Sequence, residues 1–105
     1  RSLIQETEGM AEQDPETLFQ AVVNCIRTVT QQVKNQPIGL ISFASAMHGL
    51  IAMDAQGRPL TQVITWADTR ASDYAEALKE TPAAQLFYQL TGMPVHPMAP
   101  LYKIR

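Results

Sequence analysis

Apolar side chains recur at helical spacing in the first third of the chain. At intervals of three or four residues, the sequence places Leu18, Val22, Ile26, Val29 and Val33, and Phe19 and Val23 widen this apolar stripe. Asp14 and Pro15 precede this stripe, and aspartate at the N-cap with proline at the first helical position is typical of a helix start. The pattern predicts an amphipathic helix over Asp14 to Asn35, whose apolar face needs a sheet or another helix to cover it.

A continuous apolar run, IGLISFA, occupies residues 38–44. Apart from Ser42, both of its alternating faces are apolar, which is typical of an interior strand covered on two sides in a parallel sheet. A helix that leads into such a strand favours an α/β layered fold. The run ends in a small-residue turn, ASAMHG, and such turns present ligand contacts in α/β proteins. A loop that only reverses the chain is the alternative interpretation.

The middle of the chain predicts a hairpin followed by two short helices. The runs LIAMD and QVITW flank turn chemistry at Asp54 to Gly57, so a hairpin is expected over about Leu50 to Trp66. The first helix is expected to begin at a Thr69 cap, and the second at Thr81-Pro82 with its end at Gly92. The side chains that these helices are expected to bury are Ala71, Ala75, Leu78, Leu86, Phe87 and Leu90.

Composition excludes several classes of partner. The chain has 105 residues and holds at most one domain, and 46% hydrophobic against 17% charged residues suits a protein with a buried core. A net charge of −2 without a basic run argues against nucleic acid. No apolar run approaches the roughly 20 residues of a membrane span and no signal peptide opens the sequence, so no membrane contact and a cytoplasmic location are expected. Cys25 is interpreted as a buried or half-buried thiol.

The search for reaction motifs leaves a small polar set. The sequence holds no glycine-rich phosphate loop, and its two histidines, His48 and His96, lie far apart without metal-ligand spacing. A metal site is therefore not predicted. The polar residues near the predicted strand ends are His48, Trp66, Asp68 and Arg70. Local pattern is equally compatible with Trp66 in the core, and with Asp68 and Arg70 capping a helix and pairing on the surface.

Several motifs occur in a fixed order along residues 38–104. They are Met47-His48-Gly49, Asp54 with Gly57-Arg58-Pro59-Leu60, Trp66-Ala67-Asp68-Thr69-Arg70, Thr91-Gly92-Met93-Pro94 and Lys103-Ile104. In this order they resemble the N-terminal domain of the FGGY carbohydrate kinases. Within that family, the stretches SFASAMHGLIAMD, ITWADTR and HPMAPL are most similar to kinases of gluconate.

The resemblance implies an α/β fold: a fragment of an actin-like (ribonuclease H-like) kinase domain with an inserted β-hairpin and short helices. Residues 1–105 would form a single incomplete N-terminal domain, whose partner is the rest of its own kinase chain. The family's phosphate-binding turn and general-base aspartate are expected outside these residues. The fragment alone is therefore expected to be inactive, to bind no cofactor and to self-associate through uncovered surfaces.

The activity that the resemblance implies for the full-length enzyme is transfer of the γ-phosphoryl group of Mg-ATP to a terminal hydroxyl of gluconate. Kinases of another sugar or polyol, such as xylulose or glycerol, are the nearest alternatives. A truncated, non-catalytic interaction module is the alternative from a different class.

By the same resemblance, five residues bind the substrate: Met47, His48, Trp66, Asp68 and Arg70. His48 would offer a ring nitrogen to a hydroxyl, and Trp66 a flat apolar wall to the carbon backbone of the sugar. Asp68 would accept hydrogen bonds from hydroxyls or simply hold Arg70. Arg70 suits a carboxylate-bearing substrate, but the same arginine occurs in kinases of uncharged sugars and does not decide specificity.

Overall fold

The computed structural model describes residues 3–34 and 36–104, and most of its regular structure is helical. In chain order the elements are β1 (Glu12–Gln13), α1 (Pro15–Val33), β2 (Val63–Ile64), α2 (Ser72–Lys79), α3 (Pro82–Thr91) and a 3-10 helix (Pro100–Lys103).

The start of α1 follows from its capping residues. The Asp14 carboxylate accepts a hydrogen bond from the Thr17 backbone N–H at 2.8 Å, and Pro15 occupies the first turn. This cap supplies an acceptor for an amide that has no partner within the helix. The predicted helix is confirmed. It ends at Val33, and the predicted terminus Asn35 lies outside the described residues.

The apolar stripe of α1 is left largely uncovered. Side chains along it are 50% exposed at Val22, 51% at Ile26 and 55% at Val29. Cys25 is also exposed, so the expectation of a buried thiol is wrong, because no described element packs over this part of the helix.

Within the described ranges, none of the helices has both the length and the apolar character that crossing a bilayer requires.

The dimensions of the chain agree with that exposure. Its radius of gyration is 18.1 Å, whereas about 13 Å is usual for a compact domain of about 100 residues. Its accessible surface is 8334 Å², against roughly 5,800 Å² for a compact monomer of this mass. The described residues therefore leave much more surface uncovered than a self-contained domain does.

Two short strands join distant parts of the chain. β1 and β2 pair antiparallel, with Glu12 opposite Ile64 and Gln13 opposite Val63. Ile64 also bridges Leu50 on its other side, through two backbone hydrogen bonds of 2.9 Å. β2 consequently connects the residues before α1 with the residues that follow the Met47-His48 turn.

The chain reverses direction between Leu50 and Ile64 by isolated bridges rather than a regular ladder. Besides the Leu50–Ile64 bridge, Met53 pairs with Pro59. At the tip, the Asp54 carboxylate accepts hydrogen bonds from the backbone N–H groups of Gln56 at 2.9 Å and Arg58 at 2.8 Å. The hydrogen bonds from the Arg58 backbone N–H and from its guanidinium lower the pKa of Asp54 below its ordinary value. Asp54 is thus a turn residue.

The prediction of a strand over residues 38–44 is wrong. These residues have no regular structure, and their apolar side chains are exposed, with Leu40 at 84% and Phe43 at 86%. A strand is stabilised by hydrogen bonds to a neighbour. Among residues 3–34 and 36–104, none makes a backbone hydrogen bond to the run. Among the residues that the structure describes, the sheet is the antiparallel pair of β1 and β2.

The apolar core is small and lies between α2, α3 and the segment that follows them. It consists of Ala71, Ala75, Val95, Ala99 and Tyr102, with Leu78 and Ala84 packed against it. The inward positions predicted for α2 are therefore confirmed. On α3, Phe87 contacts the Tyr102 ring at 6.2 Å between centroids, but Leu86 and Leu90 are 56% and 76% exposed. Their predicted burial is wrong, because α3 packs on the core through Ala84 and Phe87 and no described part of the chain covers Leu86 or Leu90.

The caps of the two helices differ from each other. As predicted, Thr81 is the N-cap of α3, and Gly92 closes it in the left-handed conformation at φ 71°. The expected Thr69 cap on α2 is wrong, since the N-cap is Ala71. The Thr69 amide instead donates to the Gly9 carbonyl at 2.8 Å, which holds this residue in the turn ahead of the helix.

Tyr102 provides a test of the core. Its side chain is 1% exposed, and its hydroxyl has no hydrogen-bond partner within the described part of the chain. Because that hydroxyl gains nothing from burial, we expect Tyr102→Phe to leave the free energy of unfolding unchanged or to raise it. Tyr102→Ala should lower it by about 3–5 kcal/mol. Urea unfolding measures both values.

The matched control is Tyr88, which is 55% exposed on α3. Substitution of Tyr88 by Phe or Ala should change the free energy of unfolding by less than about 0.5 kcal/mol. A loss of more than about 1 kcal/mol in Tyr102→Phe would mean that the hydroxyl has a partner, contrary to this account of the core.

Candidate functional site

The carboxylate of Asp68 lies buried in the turn that follows β2. Its side chain is 2% exposed. Oδ2 accepts a hydrogen bond from the Ala11 backbone N–H at 3.0 Å, and Oδ1 accepts one from the Arg70 backbone N–H at 3.2 Å. A buried carboxylate needs such donors, because it has lost its hydration. Asp68 thereby fastens the residue before β1 to the TWADTR turn.

Arg70 completes the compensation of this charge. Its Nε lies 3.2 Å from Oδ1 and 3.0 Å from Oδ2 of Asp68, and its Nη2 lies 2.8 Å from Oδ2. The same Nη2 donates to the Glu12 carboxylate, 58 residues away in sequence. One guanidinium therefore joins a carboxylate of β1 to the carboxylate of the turn.

The ionisation of the pair follows from these contacts. Burial alone would raise the pKa of Asp68, but the hydrogen bonds from Arg70 and from the Ala11 amide outweigh it, so that the pKa lies below its ordinary value. The hydrogen bond to Asp68 raises the pKa of Arg70. Both groups are consequently charged at neutral pH.

Thr65, directly before Trp66, connects this pair to the rest of the turn. Its backbone N–H and its Oγ1 both donate to the Ala11 carbonyl, at 3.0 and 2.8 Å. Its own carbonyl accepts from the Asp68 N–H at 3.2 Å and from the Lys103 ammonium at 2.6 Å. Thr65 is buried, and its backbone groups link residues that are far apart in sequence.

Lys103, in the 3-10 helix, contacts a second backbone carbonyl. Its Nζ lies 3.4 Å from the His48 carbonyl as well as 2.6 Å from that of Thr65. Burial lowers the pKa of Lys103, while the charge of Asp68 acts in the opposite direction. The ammonium thus joins the Met47-His48 turn to the turn that carries Trp66.

His48 itself adopts an uncommon backbone conformation. Its φ is 66°, in the left-handed region that favours glycine. Such a conformation persists where surrounding contacts hold it. Here the Lys103 contact lies on the His48 carbonyl, and the Leu50–Ile64 bridge follows two residues later.

A cavity of about 380 Å³ lies beside the ion pair. It is lined by Glu12, Thr61, Gln62, Ile64, Asp68, Arg70, Ala71 and Lys103. Met47, His48 and Trp66 are not among its lining residues. The cavity therefore brings Asp68 and Arg70 to a common surface with Lys103, whereas the other three predicted residues lie outside it.

The five predicted site residues form two groups. Met47 and Trp66 are exposed, at 76% and 57%, and His48 is half-buried, so the alternative interpretation of Trp66 as a core residue is wrong. Asp68 and Arg70 form an ion pair, and the carboxylate is buried rather than on the surface. Asp68 was expected either to accept hydrogen bonds from sugar hydroxyls or to hold Arg70, and in the structure it holds Arg70.

Sequence reasoning missed three members of this network. Glu12, Thr65 and Lys103 all contribute, and Lys103 appeared only as part of the terminal Lys-Ile motif. Local patterns carry no signal for Glu12 and Thr65, because their partners lie 58 and 54 residues away. Within residues 3–34 and 36–104, no group of three or more His, Cys, Asp and Glu side chains is gathered as a metal site.

The whole sequence, residues 1–105, matches the model of the N-terminal domain of the FGGY family of carbohydrate kinases. The chain belongs to the FGGY family. A gluconokinase of Bacillus subtilis (strain 168) is 49% identical over 94 residues, which are 90% of this chain and 18% of that relative. The resemblance expected from the motifs is confirmed.

Solved structures show the same relationship. The crystal structure of gluconate kinase from Lactobacillus acidophilus matches 97% of this chain and 20% of its own, with a TM-score of 0.89 at 44% identity. A ligand-bound xylulose kinase from the same organism has the same TM-score and identity and is matched over 21% of its chain. At this level the expected fold is confirmed, since the chain has the fold of the corresponding part of these FGGY kinase structures. This chain spans about a fifth of the length of these relatives.

The Asp68 carboxylate gives a pH-dependent prediction. Because its pKa is below the ordinary 3.8 in the folded state, its ionised form stabilises the fold fully above that value. This contribution is lost as the pH falls through the lower folded pKa. Asp68→Asn should therefore lower the free energy of unfolding by about 1–3 kcal/mol at pH 7, and the difference should shrink below pH 3.8. Urea unfolding across pH measures it.

Asp73→Asn is the control, since Asp73 is an exposed acid in the first turn of α2. It should cost less than about 1 kcal/mol. If Asp68→Asn were no more destabilising than Asp73→Asn at pH 7, the buried ion pair would not have the structural role given to it here.

Proposed function

We propose that this chain is the sugar-binding part of an ATP-dependent carbohydrate kinase. The observation that carries the proposal is the junction at Lys103, where the carbonyls of His48 and Thr65 accept from one ammonium. That junction holds together the two turns whose motifs resemble the sugar-contacting segments of the family. The similarity to a gluconokinase supports the same class of activity.

The side chains at these turns suit a polyol. A chain of hydroxyls is recognised by donors and acceptors held beside an apolar wall. His48 offers ring nitrogens from a half-buried position, and the exposed indole of Trp66 offers a flat apolar face. Met47, exposed beside His48, adds an adaptable apolar contact.

Asp68 and Arg70 have a supporting role in this proposal. Both oxygens of Asp68 are occupied by hydrogen bonds, so the carboxylate fixes the turn rather than meeting hydroxyls. Arg70 faces two carboxylates, which offset its charge. A carboxylate-bearing sugar acid therefore gains less from Arg70 than from an uncompensated cation.

Gluconate is the substrate we propose first. This choice of substrate rests on the similarity of the chain to a gluconokinase and to the gluconate kinase structure. Xylulose is the alternative, supported by the equally similar xylulose kinase structure. Glycerol or another polyol, and a non-catalytic interaction module, are the remaining candidates.

In the reaction proposed for the full-length protein, the γ-phosphoryl group of Mg-ATP passes to a terminal hydroxyl of the sugar. The residues described offer neither a glycine-rich phosphate loop nor a carboxylate cluster for magnesium. We therefore assign them to the sugar side of the reaction, with the nucleotide held by other parts of the enzyme. We place the activity in the cytoplasm, where ATP is available.

Substitutions in the two turns test the sugar assignment in the full-length protein. We expect His48→Ala and Trp66→Ala to raise the KM for gluconate by about tenfold or more, because each removes a contact of about 1–3 kcal/mol. The KM for ATP should stay within about twofold of the wild-type value. Steady-state kinetics with each substrate varied in turn measures both.

Gln56→Ala is the control, since Gln56 is exposed at the hairpin tip. It should alter neither KM. Loss of ATP affinity with normal use of gluconate in both His48→Ala and Trp66→Ala would assign these turns to the nucleotide. Parallel assays with xylulose and glycerol decide among the sugars.

The isolated 105-residue chain provides a second test. We expect it to transfer no phosphate, since positioning of ATP and magnesium supplies most of phosphoryl-transfer catalysis. We also expect it to self-associate, because the α1 stripe and residues 38–43 expose large apolar side chains. ATP turnover with gluconate and sedimentation velocity measure the two properties.

A matched pair of charged variants identifies the surface involved. Val22→Glu with Val29→Lys lies on the apolar stripe of α1, and Asn24→Glu with Gln31→Lys has the same spacing on the opposite face. The first pair should shift the chain towards monomer and the second should not. A compact monomer in the unmodified chain, or turnover that follows the purified chain, would contradict the expectation.

A further inference from the structure

The Lys103 side chain has an environment that differs from that of a surface lysine. It is half-buried, and its ammonium donates to two backbone carbonyls rather than to a carboxylate. In the described part of the chain, the ion pairs involve Arg58, Arg70 and Lys79 but not Lys103. A half-buried ammonium without a carboxylate depends on those carbonyls for its hydrogen bonds.

The two carboxylates that line the cavity with Lys103 are both paired with Arg70. Asp68 lies against Arg70, and Glu12 receives the same guanidinium. Arg70 thus pairs with both acids of the cavity wall, and Lys103 donates to the carbonyls of His48 and Thr65. The division gives the two cations different structural tasks. Arg70 links β1 to the TWADTR turn, and Lys103 links that turn to the Met47-His48 turn.

The two carbonyls differ in what else holds them. Thr65 is fixed by the Ala11 and Asp68 contacts, and its bond to Lys103 is short at 2.6 Å. His48 has a left-handed φ of 66°, and its carbonyl lies at the longer distance of 3.4 Å. Lys103 is therefore held by its short bond to the Thr65 carbonyl, which other contacts fix, and it restrains the carbonyl of His48, the residue with the left-handed φ.

We propose that Lys103 is a positioning residue for sugar binding, which bridges the His48 and Thr65 carbonyls and so holds the Met47-His48 turn against the turn that carries Trp66. The proposal rests on the proposed function, since it takes these turns as the sugar site. It assigns Lys103 no contact with sugar or ATP. Loss of the ammonium should loosen the Met47-His48 turn and weaken sugar binding through His48 and Trp66.

Lys103→Met in the full-length protein is the primary test. Methionine keeps an unbranched apolar stem of similar length but has no N–H donor. We expect the KM for the sugar to rise about tenfold or more, with the KM for ATP unchanged. Lys103→Arg should recover part of the loss, because a guanidinium also donates to two acceptors. Lys79→Met, at the Glu76 ion pair on α2, is the control and should leave both KM values unchanged.

Hydrogen exchange tests the bridge without reference to activity. The amides of Leu50 and Ile64 donate to each other's carbonyls at 2.9 Å, directly beside the two bridged turns. In Lys103→Met we expect faster exchange in peptides that cover residues 47–51 and 61–66, and unchanged exchange in α3. Should Lys103→Met fail to fold, Lys103→Gln, which keeps an N–H donor on a shorter stem, serves in both measurements.

The outcomes separate this proposal from the proposed function. Faster exchange together with a raised sugar KM supports the positioning role. A raised sugar KM with unchanged exchange would make Lys103 a direct ligand, and faster exchange with a normal sugar KM would detach the bridge from sugar use; either result overturns the proposal. If the wild-type protein phosphorylates no sugar, the proposed function fails, and the positioning role for sugar binding is overturned with it. The exchange data then still decide whether the bridge exists.

Discussion

The buried carboxylate of Asp68 is the constraint on which the arrangement of the site depends. A charge that is 2% exposed must be matched by donors from the protein. Arg70 and the Ala11 amide provide them, and Arg70 reaches Glu12 as well. The need to compensate one charge therefore fixes the TWADTR turn relative to the residues before α1, and the β1–β2 pairing follows the same path.

This polar network does more to order the site than the apolar core does. The core is built largely from alanines around Tyr102, and it lies under α2 and α3. From the network, Thr65 and Lys103 extend the order to the His48 carbonyl. A backbone carbonyl that accepts a hydrogen bond from a cation is held more tightly than one that accepts from a neutral donor, since charge-assisted hydrogen bonds are about twice as strong. A left-handed His48 is compatible with such restraint.

Local features of this fold could be read from the sequence, and long-range ones could not. The start of α1 at Asp14-Pro15 and the end of α3 at Gly92 depend on caps within a few residues, and both were predicted. The strand over residues 38–44 was not found, because pairing rather than propensity makes a strand. The motifs identified the Met47-His48 and Trp66 turns as candidates, but the Arg70–Glu12 contact across 58 residues has no local signature.

The two kinds of surface in this chain respond differently to their surroundings. The buried side chains of the polar network have hydrogen-bond partners within the described residues, where the buried side-chain polar atom without a partner is the Tyr102 hydroxyl of the apolar core. The α1 stripe and the run at residues 38–43 expose apolar side chains, and burial of such area is favourable at about 25 cal/mol per Å². Contacts that cover those apolar faces would add stability, whereas the hydrogen bonds of Asp68, Thr65 and Lys103 are already made within the described residues. The hydrogen bonds that order the candidate site are thus present while the apolar faces are uncovered.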